Sequence, residues 1–458
     1  MRDTNFNRSR RLAIPLAAAF AATALGAATT VAQDEPAFAG LDKDLSGVNL
    51  KMAAISGLQY DGMYAWIDKF EEETGATVEL VFQGDGFEID QYQKLNFGAG
   101  TEDFDVAWNH TSFMSQYTDF LEPLNDYFTE EELEAFSPSI IEAATIDGNL
   151  QLIPRHADIS SLWYRKDLFE DADLQAKFEA AYGYPLAPPE TLDQMYDMSE
   201  FLVGEGAVTY GTQFAGEEEA LAGRFYELLF ANGGGYFDED LNPIFDSEAG
   251  ALSAQWMRDL YENGLIPSDT PTLRWDSVFQ NFCNGDVAFY LEWYGFYGLA
   301  QDPEQCPEVA GKLGMVRGPL GAGGVHTGWA GAHAFSITKS SENKEAAAQL
   351  IKFLTSEAVE FDETDKQGVL PVRADVSERV IAANQGTDEP LDAGRWELAN
   401  TQVSEDFRTP PLFADWISFT TNWFPTLQSI ILGDMSVEDG LAKGVADATE
   451  LLDSLGYY

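Results

Sequence analysis

The groups in this sequence that offer chemistry are aromatic rings beside polar side chains. Aromatic residues make up 13% of the chain, and several stand where predicted strands end. A sugar ring has apolar C–H faces and an edge of hydroxyl groups, so a site for it needs flat rings beside hydrogen-bonding groups. The candidate side chains of this kind are Tyr60, Asp61, Asn109, His110, Asp158, Glu292, Trp293 and Trp329.

Motifs for covalent or phosphate chemistry are missing from the sequence. It contains no G-x-S-x-G, H-E-x-x-H, Walker or G-x-G-x-x-G pattern. A glycoside hydrolase needs only two well-placed carboxylates, so this enzyme class stays open as an alternative.

Metal and redox sites have little support in the sequence. The four histidines are scattered along the chain, and the two cysteines do not form a C-x-x-C motif. We therefore predict no metal and no cofactor. In an exported chain, Cys283 and Cys306 are expected to pair as a disulfide that stabilises the fold by roughly 3 kcal/mol.

The N-terminus predicts export, and the net charge limits the possible partners. Arginines precede an apolar stretch, and Thr30-Val31-Ala32 offers a cleavage site, which predicts a signal peptide over residues 1–32. No cysteine stands near this site, so we expect no lipid anchor. We also expect the protein to be periplasmic and monomeric. A net charge of −51 disfavours nucleic-acid partners and indicates either a saline habitat or a cationic ligand.

Hydrophobic periodicity predicts the elements that position these residues. Strands are expected over 48–54, 77–82 and 104–108, with helices over 64–73, ended by Gly75, and 89–97. This βαβαβ order predicts an α/β fold that opens with a parallel sheet. Ligands bind such sheets beyond the carboxyl ends of their strands, where Tyr60, Asp61, Asn109 and His110 follow, together with the weaker candidates Gln83 and Asp85.

Residues 328–373 carry a second recognisable pattern. Alternation from Ala332 to Thr338 predicts a strand, and Ser341 or Asn343 can cap the next helix. Its buried stripe is Ala347, Leu350, Ile351 and Leu354. Gly368 ends a further helical stretch before the extended Leu370-Pro371-Val372-Arg373.

The sequence of this segment resembles that of extracytoplasmic solute-binding proteins that serve carbohydrate importers of the ABC class. The Gly-rich strand, the Ser341-Glu342-Asn343-Lys344-Glu345-Ala346-Ala347 start and the Leu-Pro-Val-Arg return occur in the family's order. Further segments that resemble motifs of this family are 120–124, 164–169, 188–192, 282–289 and 432–441.

The resemblance implies a two-lobed periplasmic binding protein fold. Each lobe is expected to be a mostly parallel sheet flanked by helices, with a hinge between the lobes. The implied first lobe is 33–160 with 313–354, and the second is 161–312 with 355–458. Chain crossings are then expected near 155–161, 311–314 and 354–356.

The resemblance also ranks the site residues. Asp158 matches a ligand-binding acid of the maltose-binding branch, although it can instead pair with Arg155 and stiffen the hinge. Trp293 and Trp329 stand where the family places a stacking ring and a Gly-rich turn. Thr111 and Ser112 replace the charged residues of a sugar-contacting turn.

Several neighbouring side chains carry less weight. Arg155 and His156 are weaker site candidates, and Trp108 is expected either in the core or at the site. The seven-residue spacing of Trp416 and Trp423 suits one helical face, so both are expected in the core.

The expected function is therefore capture of a mono- or oligosaccharide and delivery to the transmembrane subunits of an ABC permease, without catalysis. The alternatives are a binding protein for a polyol, a polyamine or another small solute, and a secreted glycoside hydrolase. A metal-binding protein would need clustered Tyr or His, and the sequence offers no such cluster.

Overall fold

Strands and helices alternate through the first part of the chain, and helices fill the part after residue 343. The computed structural model describes residues 44–56, 60–84, 86–384 and 390–458, so the predicted signal peptide lies outside the described residues. The strands are β1 (Asn49–Ile55), β2 (Thr77–Gly84), β3 (Val106–His110), β4 (Thr145–Ile146), β5 (Asn149–Leu150), β6 (Ile153–Arg165), β7 (Phe289–Trp293), β8 (Leu313–Val316) and β9 (Ala330–Ile337). The helices are α1 (Asp61–Tyr64), α2 (Ile67–Thr74), α3 (Gly86–Ala99), α4 (Glu130–Leu133), α5 (Pro138–Ala143), α6 (Lys166–Phe169), α7 (Ala172–Tyr182), α8 (Leu192–Gly204), α9 (Glu218–Ala231), α10 (Glu248–Glu262), α11 (Trp275–Cys283), α12 (Tyr297–Gln301), α13 (Lys344–Leu354), α14 (Glu357–Gln367), α15 (Ala374–Asn384), α16 (Pro390–Glu405), α17 (Trp416–Ile431) and α18 (Val437–Leu455).

The opening of the chain is the predicted βαβαβ unit. β1 pairs in parallel with both β2 and β3. α2 ends at Gly75, whose φ of 76° places it in the left-handed region, and its amide donates to the Glu71 carbonyl. Glycine adopts this conformation without a steric penalty, so the predicted helix end is confirmed.

The sheet continues through strands from much later in the chain. Its order is β2-β1-β3-β9-β6-β7, with β8 also paired to β6. β9 inserts antiparallel between β3 and β6, and β6 pairs antiparallel with β7 and β8. The expected parallel arrangement therefore holds for β1, β2 and β3. It does not hold for β9 in the first lobe or for the pairs that β6 makes in the second lobe.

β6 is the strand that passes from one lobe to the other. Residues 153–159 pair with β9, whereas residues 160–165 pair with β7 and β8. The predicted crossing at 155–161 thus coincides with the middle of a single 13-residue strand. Gln402 holds this point, because its amide contacts the Ser160 carbonyl and the Ser161 hydroxyl.

The hydrophobic cores place another crossing later than expected. The core around β1 includes Val359, Leu370 and Phe407, whereas Phe413 belongs to a second-lobe core. α14, α15 and α16 therefore pack with the first lobe, and the chain crosses between Phe407 and Phe413 rather than at 354–356. The amide of Ala374 donates to the Ala135 carbonyl at 2.8 Å, which ties this segment to the first lobe.

The pattern at 328–373 folds as predicted. Asn343 is the N-cap residue of α13 but makes no side-chain capping hydrogen bond, and the predicted stripe on this helix is buried. Gly368 ends α14 with a φ of 76°. Across the described part of the chain, the helices are too short or too polar to span a bilayer.

Candidate functional site

Three histidines form a row across the middle of the sheet. His110 on β3 lies opposite His333 on β9, which in turn lies opposite His156 on β6. Cross-strand neighbours share a face of the sheet, so their rings meet. The His156 and His333 rings stack with centroids 4.2 Å apart, and His110 meets His333 edge-on at 4.9 Å. The sequence predicted no cluster of histidines, and this prediction was wrong for these three.

The central ring of the row is hydrogen-bonded at both nitrogens. His333 Nδ1 lies 3.2 Å from the Tyr60 hydroxyl and accepts from Trp108 Nε1 at 3.0 Å. His333 Nε2 lies 2.9 Å from Asp158 Oδ2. Trp108 is buried in the core, as one of its two expected positions required, and its indole N–H reaches His333.

Desolvation disfavours the charged form of the outer histidines of the row. Desolvation lowers the pKa of both His110 and His156 well below the ordinary value, and the nearby His333 adds to the effect. Gly331, opposite Asp158, allows the close approach, because a Cβ there would lie 2.3 Å from His110 Cε1.

Arg155 supports the row from inside the first lobe. This buried guanidinium forms an ion pair with Glu363, contacts His156 Nδ1 at 2.6 Å and lies over the Tyr60 ring. Asp158 bonds to His333 rather than to Arg155, so the alternative Arg155–Asp158 pair does not form. Arg155 is a structural cation in this arrangement.

Three tryptophans form a second group next to the row. The Trp293 ring lies 5.0 Å from the Trp329 ring and 5.7 Å from the Trp275 ring, and Trp275 lies 5.9 Å from Trp329. Trp329 is only 4% exposed and covers Gly223 on α9. Trp275 and Trp293 are half-buried, so they keep ring surface that a ligand can contact.

β6 connects the two groups. Asp158 and Ser160 are two residues apart and project from the same face of this strand, roughly 7 Å from each other. Ser160 lies opposite Trp293, and its amide donates to the Trp329 carbonyl at 2.9 Å. The polar row and the tryptophan group therefore adjoin where the chain passes between the lobes.

Glu292 lies beneath this surface rather than on it. It is 1% exposed, and burial raises the pKa of its carboxyl to about 7. Oε1 accepts from the Trp293 amide.

The remaining predicted site residues differ in how far they are buried. Tyr60 and Asn109 are buried, and Asn109 Oδ1 accepts from the His110 amide. Gln83 is exposed on β2. The side chain of Asp61, and Asp85 as a whole, lie outside the described part of the chain.

The site contains residues that the sequence did not single out. His333 appeared only as one position in a strand, and its neighbours in space are far away in sequence. Trp275 had no signal beyond its residue type. Arg224, which donates to Ser160 and forms an ion pair with Glu227, had none either.

The predicted disulfide is present. Cys283 and Cys306 are joined with a Cα–Cα distance of 4.2 Å. Cys283 is the last residue of α11, which begins at Trp275. The bridge therefore fixes the far end of the helix that supplies one of the three tryptophans.

One cluster has the composition of a metal site. His156, Asp158 and His333 each offer a ligand atom, and these atoms lie within 4.8 Å of one another. Whether the ring nitrogens are able to bind a metal depends on where their protons lie.

Comparison with known proteins identifies the family. A probable ABC transporter-binding protein of Deinococcus radiodurans is 26% identical over 306 residues, covering 65% of this chain and 70% of that protein. The mannitol-binding protein of Pseudomonas aeruginosa is 26% identical over 55% of this chain and 56% of its own length. Among solved structures, maltose-bound T. maritima MalE3 has a TM-score of 0.75 at 25% identity, covering 88% of this chain and 100% of that one. The family profile of the bacterial extracellular solute-binding proteins matches residues 56–360. The chain belongs to this family, as the order of its motifs predicted. The two-lobed α/β fold that this resemblance implied is confirmed.

Proposed function

We propose that the protein binds a neutral polyhydroxylated solute, a sugar or a polyol, between its lobes and delivers it to an ABC permease in the cell envelope. One observation carries the proposal: half-buried Trp293, which contacts half-buried Trp275, lies opposite Ser160, two residues from Asp158, at the point where β6 changes lobes. Ring faces pack against the C–H surface of such a ligand, and the carboxylate accepts from its hydroxyl groups.

The charges at the site support a neutral ligand. The guanidinium groups of Arg155 and Arg224 are both occupied, by Glu363 and Glu227 respectively. A carboxylate ligand would need such a group as its partner. Among the described site residues, Asp158 is the partly exposed carboxylate, and His333 already holds one of its oxygens. A polyamine needs several acceptors of this kind.

The relatives support the same ligand class. The Pseudomonas aeruginosa relative is a mannitol-binding protein, and the T. maritima structure contains maltose. Both ligands are neutral and rich in hydroxyl groups, which matches the donors, acceptors and rings of this site.

Catalysis has weak support in the geometry. A glycoside hydrolase needs two carboxyl groups flanking the bond that it cleaves. Of the two candidate carboxylates that the structure describes, Asp158 is partly exposed and Glu292 is buried. We therefore propose a binding role without turnover, in which ligand binding favours closure of the lobes about β6.

A thermal-shift screen of the mature chain tests this proposal. The panel contains maltose, longer maltooligosaccharides, D-mannitol, ribitol, sugar acids and polyamines. A ligand that binds only the folded state raises the melting temperature by mass action. We expect a shift with a neutral sugar or polyol, confirmed by calorimetric titration. A shift only with polyamines or sugar acids, or release of products from an oligosaccharide, would contradict the proposal.

A further inference from the structure

Each of the three clustered histidines turns one ring nitrogen towards an N–H donor. His110 Nδ1 accepts from the Ser112 amide at 3.1 Å, and His156 Nδ1 lies 2.6 Å from Arg155 Nη1. His333 Nδ1 accepts from the Trp108 indole at 3.0 Å. Amide, guanidinium and indole N–H groups only donate, so Nδ1 must be the acceptor in all three rings. The proton of each neutral ring therefore lies on Nε2.

Two of these Nε2–H groups point to the same carboxylate oxygen. His333 Nε2 lies 2.9 Å from Asp158 Oδ2, and His156 Nε2 lies 3.8 Å from it. The second distance is too long for a hydrogen bond. His156 is 1% exposed, and its Nε2 has no partner within the described residues. A buried donor without a partner carries a desolvation cost that a ligand oxygen would relieve.

The same proton positions argue against a metal at this cluster. A histidine that binds a metal through Nε2 carries its proton on Nδ1 and donates it to an acceptor. Here Nδ1 of His156 and of His333 faces a donor, so Nε2 of neither ring has a lone pair to offer. The three-residue cluster resembles a metal site in composition but is protonated as a hydrogen-bonding site.

We propose that the unpaired Nε2–H of His156 and the carboxylate of Asp158 together recognise one hydroxyl group of the ligand, with His333 as the positioning residue for Asp158. A hydroxyl accepts from His156 and donates to Asp158 at the same time. An ammonium group only donates and a carboxylate only accepts, so neither satisfies both partners. Trp108 fixes the ring of His333 in the form that donates to Asp158. The assignment of the hydroxyl rests on the proposed function, whereas the proton positions do not.

The proton positions are tested first, without any ligand. Long-range ¹⁵N–¹H NMR spectra of the ¹⁵N-labelled mature chain distinguish the two neutral forms of each ring. We expect the Nε2–H form for His110, His156 and His333. An Nδ1–H form of His156 or His333 would overturn the proposal.

A metal probe gives a second readout on the same protein. Co²⁺ alone is added while its visible absorption is followed in the parent and in Asp158→Asn. We expect identical weak spectra, because an acidic chain binds Co²⁺ only loosely at its surface. A stoichiometric tetrahedral Co²⁺ spectrum that disappears in Asp158→Asn would overturn the proposal.

Matched variants test recognition itself, with D-mannitol and maltose as the probes. His156→Phe and His333→Phe keep a flat ring but lose the donor, and we expect roughly tenfold or greater loss of affinity. His156→Gln and His333→Gln keep an N–H at the position of Nε2 and should stay within a few-fold of the parent. Equal affinity in the Phe and Gln variants would overturn the role in recognition. If the parent binds neither probe nor any other neutral sugar or polyol, the proposed function fails, and the NMR result still decides the proton positions.

Discussion

The indole rings of Trp293 and Trp329 meet edge to face, with centroids 5.0 Å apart and planes inclined by 75°. Trp329 is buried against Gly223, so it supports Trp293 rather than presenting a free face of its own. Trp329 was expected to contact the ligand, and its burial favours a supporting role instead. Trp293 and Trp275, which are half-buried, carry the ring surface that a ligand can contact.

Replacing Trp293 with Ala should lower ligand affinity by about 10- to 100-fold, because a stacking face is worth roughly 1–3 kcal/mol. Calorimetric titration with the ligand from the screen measures this loss. Trp416→Phe is the control, since Trp416 is buried in the second-lobe core and bonds to Glu219. It should lower stability and leave affinity unchanged. Parent-like binding by Trp293→Ala would show that the tryptophan group is not the ligand surface.

Replacing Asp158 with Asn should weaken binding by roughly tenfold or more while the fold stays intact. The amide keeps the shape of the side chain but loses the charge that strengthens its hydrogen bonds. Asp240→Asn makes the same chemical change on an exposed loop and should bind like the parent. The two variants are compared by calorimetry and thermal denaturation. Equal affinities would remove Asp158 from the site.

Replacing Glu219 with Gln should change the pH dependence of stability. Burial raises the pKa of this carboxyl from 4.5 to about 7. Between these values the folded state keeps a proton that the unfolded state loses, so parent stability falls by up to about 1.4 kcal/mol per pH unit as the pH rises. Below pH 4.5 and above pH 7 this contribution no longer changes with pH.

Urea denaturation of both proteins from pH 4.5 to 8 tests this change. The free energy of unfolding of Glu219→Gln, relative to the parent, should rise up to about pH 7 and then level off. A difference that stays constant over the whole range would mean that Glu219 does not titrate there.

Removing the disulfide with Cys283→Ala and Cys306→Ala together should cost roughly 3 kcal/mol of stability in the chain-entropy account of cross-links. Equilibrium urea denaturation under oxidising conditions measures the loss. With reductant present throughout, the parent should approach the double variant. Thiol titration of the denatured, unreduced parent should find no free thiol, and two reactive thiols per chain would contradict the pairing.

Added salt should raise the melting temperature. The chain carries a formal net charge of −51, and the repulsion between like charges is screened over about 10 Å at 0.1 M salt. Equal concentrations of NaCl and KCl should give equal increases if screening is the cause. A melting temperature that is flat or falls with NaCl would contradict this explanation.

Features encoded by neighbouring residues were predictable from the sequence. The βαβαβ opening, the helix end at Gly75 and the buried stripe on α13 follow from periodicities of two and 3.6 and from the backbone freedom of glycine. The disulfide was predicted from the expected export and a count of two cysteines. Motif order implied the two lobes, because that order reflects the fold of the whole family.

Only the tertiary structure decided which residues meet at the site. His333 joins His110 and His156 because β9 inserts between β3 and β6, and no local pattern specifies the partner of a strand more than 170 residues away. For the same reason, the sequence did not place Trp275 beside Trp293, or α14 to α16 with the first lobe. Long-range pairing depends on how buried surfaces from distant segments fit together, so it is a property of the folded chain and not of any single segment.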